Sequence, residues 1–163
     1  MKWITRERPK IDRVACPWLI ARHIDPRAEF IFVPPAEVEA TAAALGATPY
    51  DVDGVELSHV GPLCSFDAFL LKYELADPAL HEIALIVRGA DTACLDLAPQ
   101  AAGLLAISLG LSHNFASDAE QLRHGFVVYD ALYAWSVHVR DEPHNWNPQR
   151  AAGGATSRGG DGR

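Results

Sequence analysis

Apolar positions fall into two regimes along this chain. Over roughly the first sixty residues they come in short bursts broken by Pro, Gly and Asp. Beyond that they recur with the spacing of helix faces. Lys2 to Thr5 reads as a short strand, and a helix follows that ends near Ile24, because Asp25-Pro26 stops it. Ala28 to Val33 carries Phe30-Ile31-Phe32-Val33, suited to a covered strand. Pro34-Pro35 opens a second helix, Ala36 to Leu45, closed by Gly46. Thr48 to Val52 and Val55 to Ser58 flank Asp53-Gly54, the signal of a two-residue hairpin. His59 to Cys64 reads as a loop, and Ser65 as the cap of a helix running to about Glu74. Asp77-Pro78 starts a helix to about Gly89, and Pro99 starts another, Gln100 to Leu109, apolar nearly all round. Ser117 or Asp118 caps the last, which runs to about Val139.

Strands first and helices later predict an α+β fold. A small sheet from the N-terminal half, a β-α-β unit plus a hairpin, packs against a mostly helical C-terminal half. A parallel β-α-β crossover is expected to be right-handed, with strand ends and helix start together where such units bind ligands. Residues 1–140 are expected to form one domain. The Pro- and Gly-rich stretch 141–163 lacks apolar periodicity and is expected to be a disordered tail.

Charge and cysteine usage narrow the function classes. The formal net charge is −7 and the sequence pI is near 5.4, which argues against direct nucleic-acid binding. The cysteines, Cys16, Cys64 and Cys94, are odd in number and form no CxxC pair, so reduced thiols in the cytoplasm are expected. No run of about 18 apolar residues exists to span a membrane, and the N-terminus lacks the apolar core of a signal peptide. GxGxxG, GxxxxGK[ST], HExxH and GxSxG are absent, which weighs against nucleotide-cofactor and common hydrolase chemistry.

The first candidate site lies in Asp12-Arg13-Val14-Ala15-Cys16-Pro17-Trp18. Two helix starts are open. Cys16 caps and Pro17 takes the first helical position, where its missing N–H is harmless. Alternatively Asp12 caps, the better residue for that role, and Pro17 lies inside the helix at a cost of about 3 kcal/mol. The first is the simpler. It sets a thiol at the amide end of a helix, which attracts anions and lowers a thiol's pKa. Arg13, Arg22 and Arg88 are the candidate cations for a small oxyanion, with Cys16 beside them. The plain alternative is a buried thiol and arginines paired with nearby aspartates.

The second candidate is Glu56-Leu57-Ser58-His59-Val60-Gly61-Pro62-Leu63-Cys64, where His59 and Cys64 are metal- or redox-compatible types in a loop. Asp91, just after Arg88-Gly89, is a candidate orienter for Arg88 or a metal ligand. Asp130 stands amid Phe126 to Trp135 and needs a partner if buried, either an arginine from the first helix or a metal. His59, Cys64, Asp91 and Asp130 are thus the candidate metal ligands, and a divalent metal ion the candidate cofactor. Cys16 and His59 are the candidates for catalysis.

Five stretches taken in order carry a resemblance. They are Lys2-Trp3-Ile4-Thr5-Arg6; Asp12 to Ile20; Glu56-Leu57-Ser58-His59 with Cys64-Ser65-Phe66-Asp67; Ile86-Val87-Arg88-Gly89-Ala90-Asp91 with Leu97 to Leu104; and Tyr129-Asp130-Ala131-Leu132-Tyr133. Together the chain resembles the C-terminal domain of the ChrB family of chromate-resistance proteins. The resemblance implies a role in bacterial chromate resistance, as a chromate- or oxyanion-sensing or accessory domain of a chromate-efflux system. Longer members act as chromate-responsive regulators, and their extra N-terminal region, associated with DNA contact, is expected to be missing here. A thiol- or metal-dependent redox enzyme of chromate detoxification is the alternative. Chromate or a similar tetrahedral oxyanion is the expected partner, and a homo-oligomer is left open.

Overall fold

A central strand with no free edge organises the N-terminal half. In the computed structural model, which describes residues 1–142, β1 (Lys2–Arg6) lies between β2 (Glu29–Val33) and β3 (Thr48–Pro49), and both pairings are parallel. Parallel sheets need cover on both faces. The strand meets this by alternation: Trp3 enters the main core, while Ile4 joins a smaller cluster with Val38, Ala42 and Ala47. The helix α2 (Val38–Leu45) supplies that second cover and ends at Gly46, whose φ of 59° gives the left-handed C-cap predicted for it.

The main core is helical. It gathers α1 (Asp12–Leu19), α3 (Ser65–Lys72), α4 (Pro78–Asp91), α5 (Ala101–Asn114) and α6 (Asp118–Ala134) around Trp3, Trp18, Phe66 and Phe69. π-helical turns at Ile20–Ile24 and Trp135–Val139 extend α1 and α6. This is the α+β arrangement expected from the apolar pattern. Because the strands are parallel, their carboxyl ends share one edge, and the start of α1 lies at that edge too.

Four local expectations are corrected. The helix that follows β1 begins at Asp12, and Pro17 lies inside it, so Cys16 does not cap it. The expected hairpin does not form. Thr48–Pro49 pairs parallel with β1, and a single backbone bond, Asp51 N to Leu57 O at 2.9 Å, closes the segment around Gly54. Cys64, not Ser65, is the N-cap of α3, and the Asp67 carboxylate accepts from its backbone N at 3.0 Å. Finally, α4 passes through Gly89 and ends at Asp91. The expected tail over 141–163 lies, from residue 143 onward, outside the described residues.

The glycines within helices separate by packing. A Cβ on Gly89 would lie 2.8 Å from the Cβ of Ala101, and one on Gly125 would lie 2.4 Å from Cγ1 of Val14. These two let α4 meet α5 and α1 meet α6. A Cβ on Gly110 would meet nothing within 4 Å. Urea unfolding is therefore expected to show Gly125→Ala destabilised by about 1–3 kcal/mol, because the stiff Val14 side chain cannot move aside. Gly110→Ala is expected to gain about 1 kcal/mol from helix propensity.

Candidate functional site

Three aspartates from separate segments converge on one imidazole at the carboxyl edge of the sheet. Asp12 comes from the first turn of α1, Asp51 from the segment after β3, Asp91 from the last turn of α4, and His59 from the loop before α3. The Nε2 of His59 lies 3.1 Å from Oδ2 of Asp91, and 3.5 Å from both Oδ2 of Asp12 and Oδ1 of Asp51.

Local backbone geometry aims these groups. Ile11, the residue before α1, has a φ of 42°, a costly conformation for a β-branched residue. The surrounding structure holds it there: its N–H donates to Ser108 Oγ at 2.8 Å and its carbonyl accepts from the Tyr129 hydroxyl at 3.3 Å. This turn drives Asp12 inward, where its side chain is 1% exposed. Asp51 also has a positive φ, 51°. The start of α3 fixes both carboxylates. Ser65 donates its backbone N–H to Asp12 Oδ2 at 2.6 Å and its hydroxyl to Asp51 Oδ1 at 2.7 Å. The positive end of a helix dipole thus faces two buried carboxyl groups.

Within the cluster, the arginines flank one carboxylate, Asp51. Arg6 Nη2 reaches Asp51 Oδ2 at 2.9 Å, and Arg13 Nε lies 3.4 Å from the same oxygen. Arg13 also donates to the backbone carbonyl of Glu7. Oδ1 of Asp12, buried, has no hydrogen-bond partner among the described residues. An open groove of about 580 Å³, lined in part by Arg6, Asp51, Ser58 and His59, leads to the cluster.

Proton affinities follow from this crowding. His59 is pushed up to about 9, chiefly by its hydrogen bond to Asp12. Asp91 is pushed up to about 7, first by burial and then by the neighbouring Asp12 and Asp51 charges. Burial likewise raises Asp12 above the usual carboxylate range, against the pull of His59.

The remaining sequence candidates are placed elsewhere or differently. Cys16 is fully buried in the main core, and burial pushes its thiol well up. Cys64 is fully buried at the cap of α3 and is raised for the same reason. Neither thiol is poised as a thiolate. The local geometry that would have activated Cys16 is absent, because the helix starts five residues earlier, at Asp12. Arg88 makes a two-bond pair with Asp67, each bond 3.0 Å, tying α4 to α3. Arg22 makes a two-bond pair with Asp130 at 2.9 and 2.8 Å, and Trp18 Nε1 donates to the same carboxylate at 2.8 Å. Of the two partners expected for Asp130, an arginine or a metal, the structure shows the arginine, Arg22 in the π-helical turn that continues α1. Of the candidates, the structure brings together Arg13, His59 and Asp91. It adds Asp12 and Asp51, which the sequence presented as a helix cap and as part of a hairpin.

The family model described as ChrB, C-terminal domain, matches residues 3–136. The chain belongs to the ChrB family. This is the chromate-resistance family that the five sequence stretches resemble, and all the cluster residues fall inside the matched span. Protein ChrB of Cupriavidus metallidurans is 32% identical over 133 residues, which is 81% of this chain and 40% of the relative. The ChrB-family domain described here thus spans well under half of that relative's length. No solved structure matches the chain. Among the described residues, no helix is long and apolar enough to cross a membrane.

The raised His59 and Asp91 values fix the sign of a pH effect in the metal-free protein. Both folded-state values exceed their unfolded values of 6.5 and 3.8, so the folded state holds the extra protons. Stability from Asp91 is present below about pH 4 and is lost as pH rises through about 7. Stability from His59 is present below about pH 6.5 and is lost as pH rises through about 9. Proton NMR is expected to show the His59 imidazole titrating near 9, and His23, which burial lowers, below 6.5. Denaturant midpoints are expected to fall from pH 6.5 to pH 9.

Proposed function

We propose that this protein acts in chromate resistance as a cytoplasmic binding domain, a sensing or accessory component of a chromate-efflux system. Its working site in this reading is the cluster of Asp12, Asp51, His59 and Asp91. The observation that carries the site is the convergence of three aspartates on one imidazole beside an open groove at the strand ends. Membership of the ChrB family supports the physiological setting.

The charge arrangement shapes how an oxyanion such as chromate is recognised. Chromate is a tetrahedral dianion, and bare carboxylates repel it. The guanidinium groups of Arg6, Arg13, Arg22 and Arg88 each face an aspartate already. An oxyanion therefore approaches this cluster only when positive charge outweighs the aspartates. A protonated His59 supplies that charge in the metal-free protein, and a bound cation, which takes the neutral imidazole as a ligand, would supply it otherwise. Recognition at a free Cys16 thiolate is not supported, because that thiol is enclosed in the core.

The redox alternative divides on the same observation. Its thiol form needs an accessible thiolate, which neither Cys16 nor Cys64 offers. Its metal-dependent form would use the cluster named here. A chromate-sensitive bacterium with a chromate-efflux system separates the cluster from the thiol as the working site when supplied with wild-type protein, His59→Ala or Cys16→Ala at matched abundance. Wild type and Cys16→Ala are expected to raise chromate tolerance equally, and His59→Ala to lose the increase. Loss in Cys16→Ala with full tolerance in His59→Ala contradicts the proposed site.

A further inference from the structure

We propose that Asp12, His59 and Asp91 are the protein ligands of one divalent metal ion that prefers oxygen and imidazole donors, of the Mn2+ type. The inference deepens the functional reading above and rests on it for the choice of site. Among the described residues, one donor atom from each of these three side chains lies within 4.8 Å of the others. Donors on one ion with bonds of about 2.1 Å lie within about 4.2 Å of each other, so a small side-chain adjustment closes the set.

The second observation is the state of Asp12. Its side chain is 1% exposed, yet its Oδ1 has no partner among the described residues. A buried carboxylate oxygen left unpaired is costly, and native structures rarely leave one. The other oxygen is committed to the Ser65 N–H at 2.6 Å. A cation bound by the Asp12 carboxylate, whose Oδ2 lies 3.5 Å from His59, supplies the partner that this under-satisfied buried group lacks and accounts for the close approach of two acidic groups.

Asp51 plays a different part. Oδ1 accepts from Ser65 Oγ and Oδ2 from Arg6, so both its oxygens are engaged away from an ion. It lies 3.5 Å from the same Nε2 that would bind the ion, so it adds negative charge beside the site and does not orient the imidazole. The donor class follows from the side chains themselves. Two carboxylates and one imidazole suit Mn2+ and Fe2+, whereas a thiolate would be needed for a soft-metal site. Cys64 is spent as a buried helix cap and Asp130 is held by Arg22, so neither belongs to the set. His59 is 41% exposed on its groove side, which leaves room for water or an anion to complete the coordination.

The test uses the full chain stripped with chelator and titrated with Mn2+, the free ion being read by electron paramagnetic resonance. Wild type is expected to bind about one ion per chain at sub-millimolar affinity. His59→Ala and Asp91→Asn, which leave the buried Asp12 in place, are each expected to weaken binding about tenfold or more. Asp130→Asn is expected to bind as wild type does. Mn2+ is also expected to raise the melting temperature of wild type and not of the two ligand variants. Failure of folded wild type to bind Mn2+ in the millimolar range overturns the inference. So does binding that survives both ligand substitutions. Mn2+ bound here, with chromate tolerance intact in His59→Ala, upholds the metal site and overturns the functional reading.

Discussion

The interaction on which the rest depends is the burial of one carboxylate. Asp12 lies at the first turn of α1 with its side chain closed off from solvent. An ionised carboxylate in that position carries a large desolvation cost unless positive charge and donors surround it. The fold brings them from distant parts of the chain. The start of α3 donates the Ser65 N–H and the loop before it presents His59, while the end of α4 brings Asp91, a second acid that adds to the need for positive charge. The strain at Ile11 belongs to the same arrangement, since a relaxed turn there would point Asp12 elsewhere.

The sheet supplies the frame for this convergence. Three parallel strands place their carboxyl ends at one edge, and the crossover helix begins there. Helices with buried two-bond ion pairs or fitted glycines hold the frame in register. Asp67 with Arg88 ties α3 to α4, and Gly125 against Val14 ties α6 to α1. The second arginine pair, Arg22 with Asp130, sits on a more exposed surface and clamps the π-helical turn after α1 to α6. Three guanidinium groups that look alike in sequence thus do three different things: Arg88 braces the core, Arg22 fastens a surface, and Arg13 balances the charge of Asp51.

Much of this could be read from the sequence, for physical reasons that are specific to each element. The strand Phe30 to Val33 announced itself by continuous apolar residues, and Asp77-Pro78 by a cap followed by a proline at the first helical position. Gly46 gave the end of α2 through its left-handed backbone. His59 and Asp91 stood out as chemistry-bearing types near helix ends. What stayed hidden depended on tertiary contacts. Pro17 pointed to a later helix start because its local cost is real, and packing of Val14, Ala15, Trp18 and Leu19 into the core outweighs it. Asp53-Gly54 pointed to a hairpin, yet the preceding residues gained more by pairing with β1. Asp12 and Asp51 looked like a cap and a turn residue, the commonest uses of aspartate. Only the positive φ of Ile11 and Asp51 turns them inward, and β-branched Ile gives no sequence signal for that. Gly89 was read as a stop and is instead a close-contact position against Ala101.

Crystals of the full chain soaked in Mn2+ and recorded with anomalous scattering test the central claim most directly. The account predicts one strong anomalous peak bounded by the Asp12 carboxylate, Nε2 of His59 and the Asp91 carboxylate. A map in which that position holds only an ordered water or a direct imidazole–carboxylate contact, with Mn2+ elsewhere or nowhere, would contradict it.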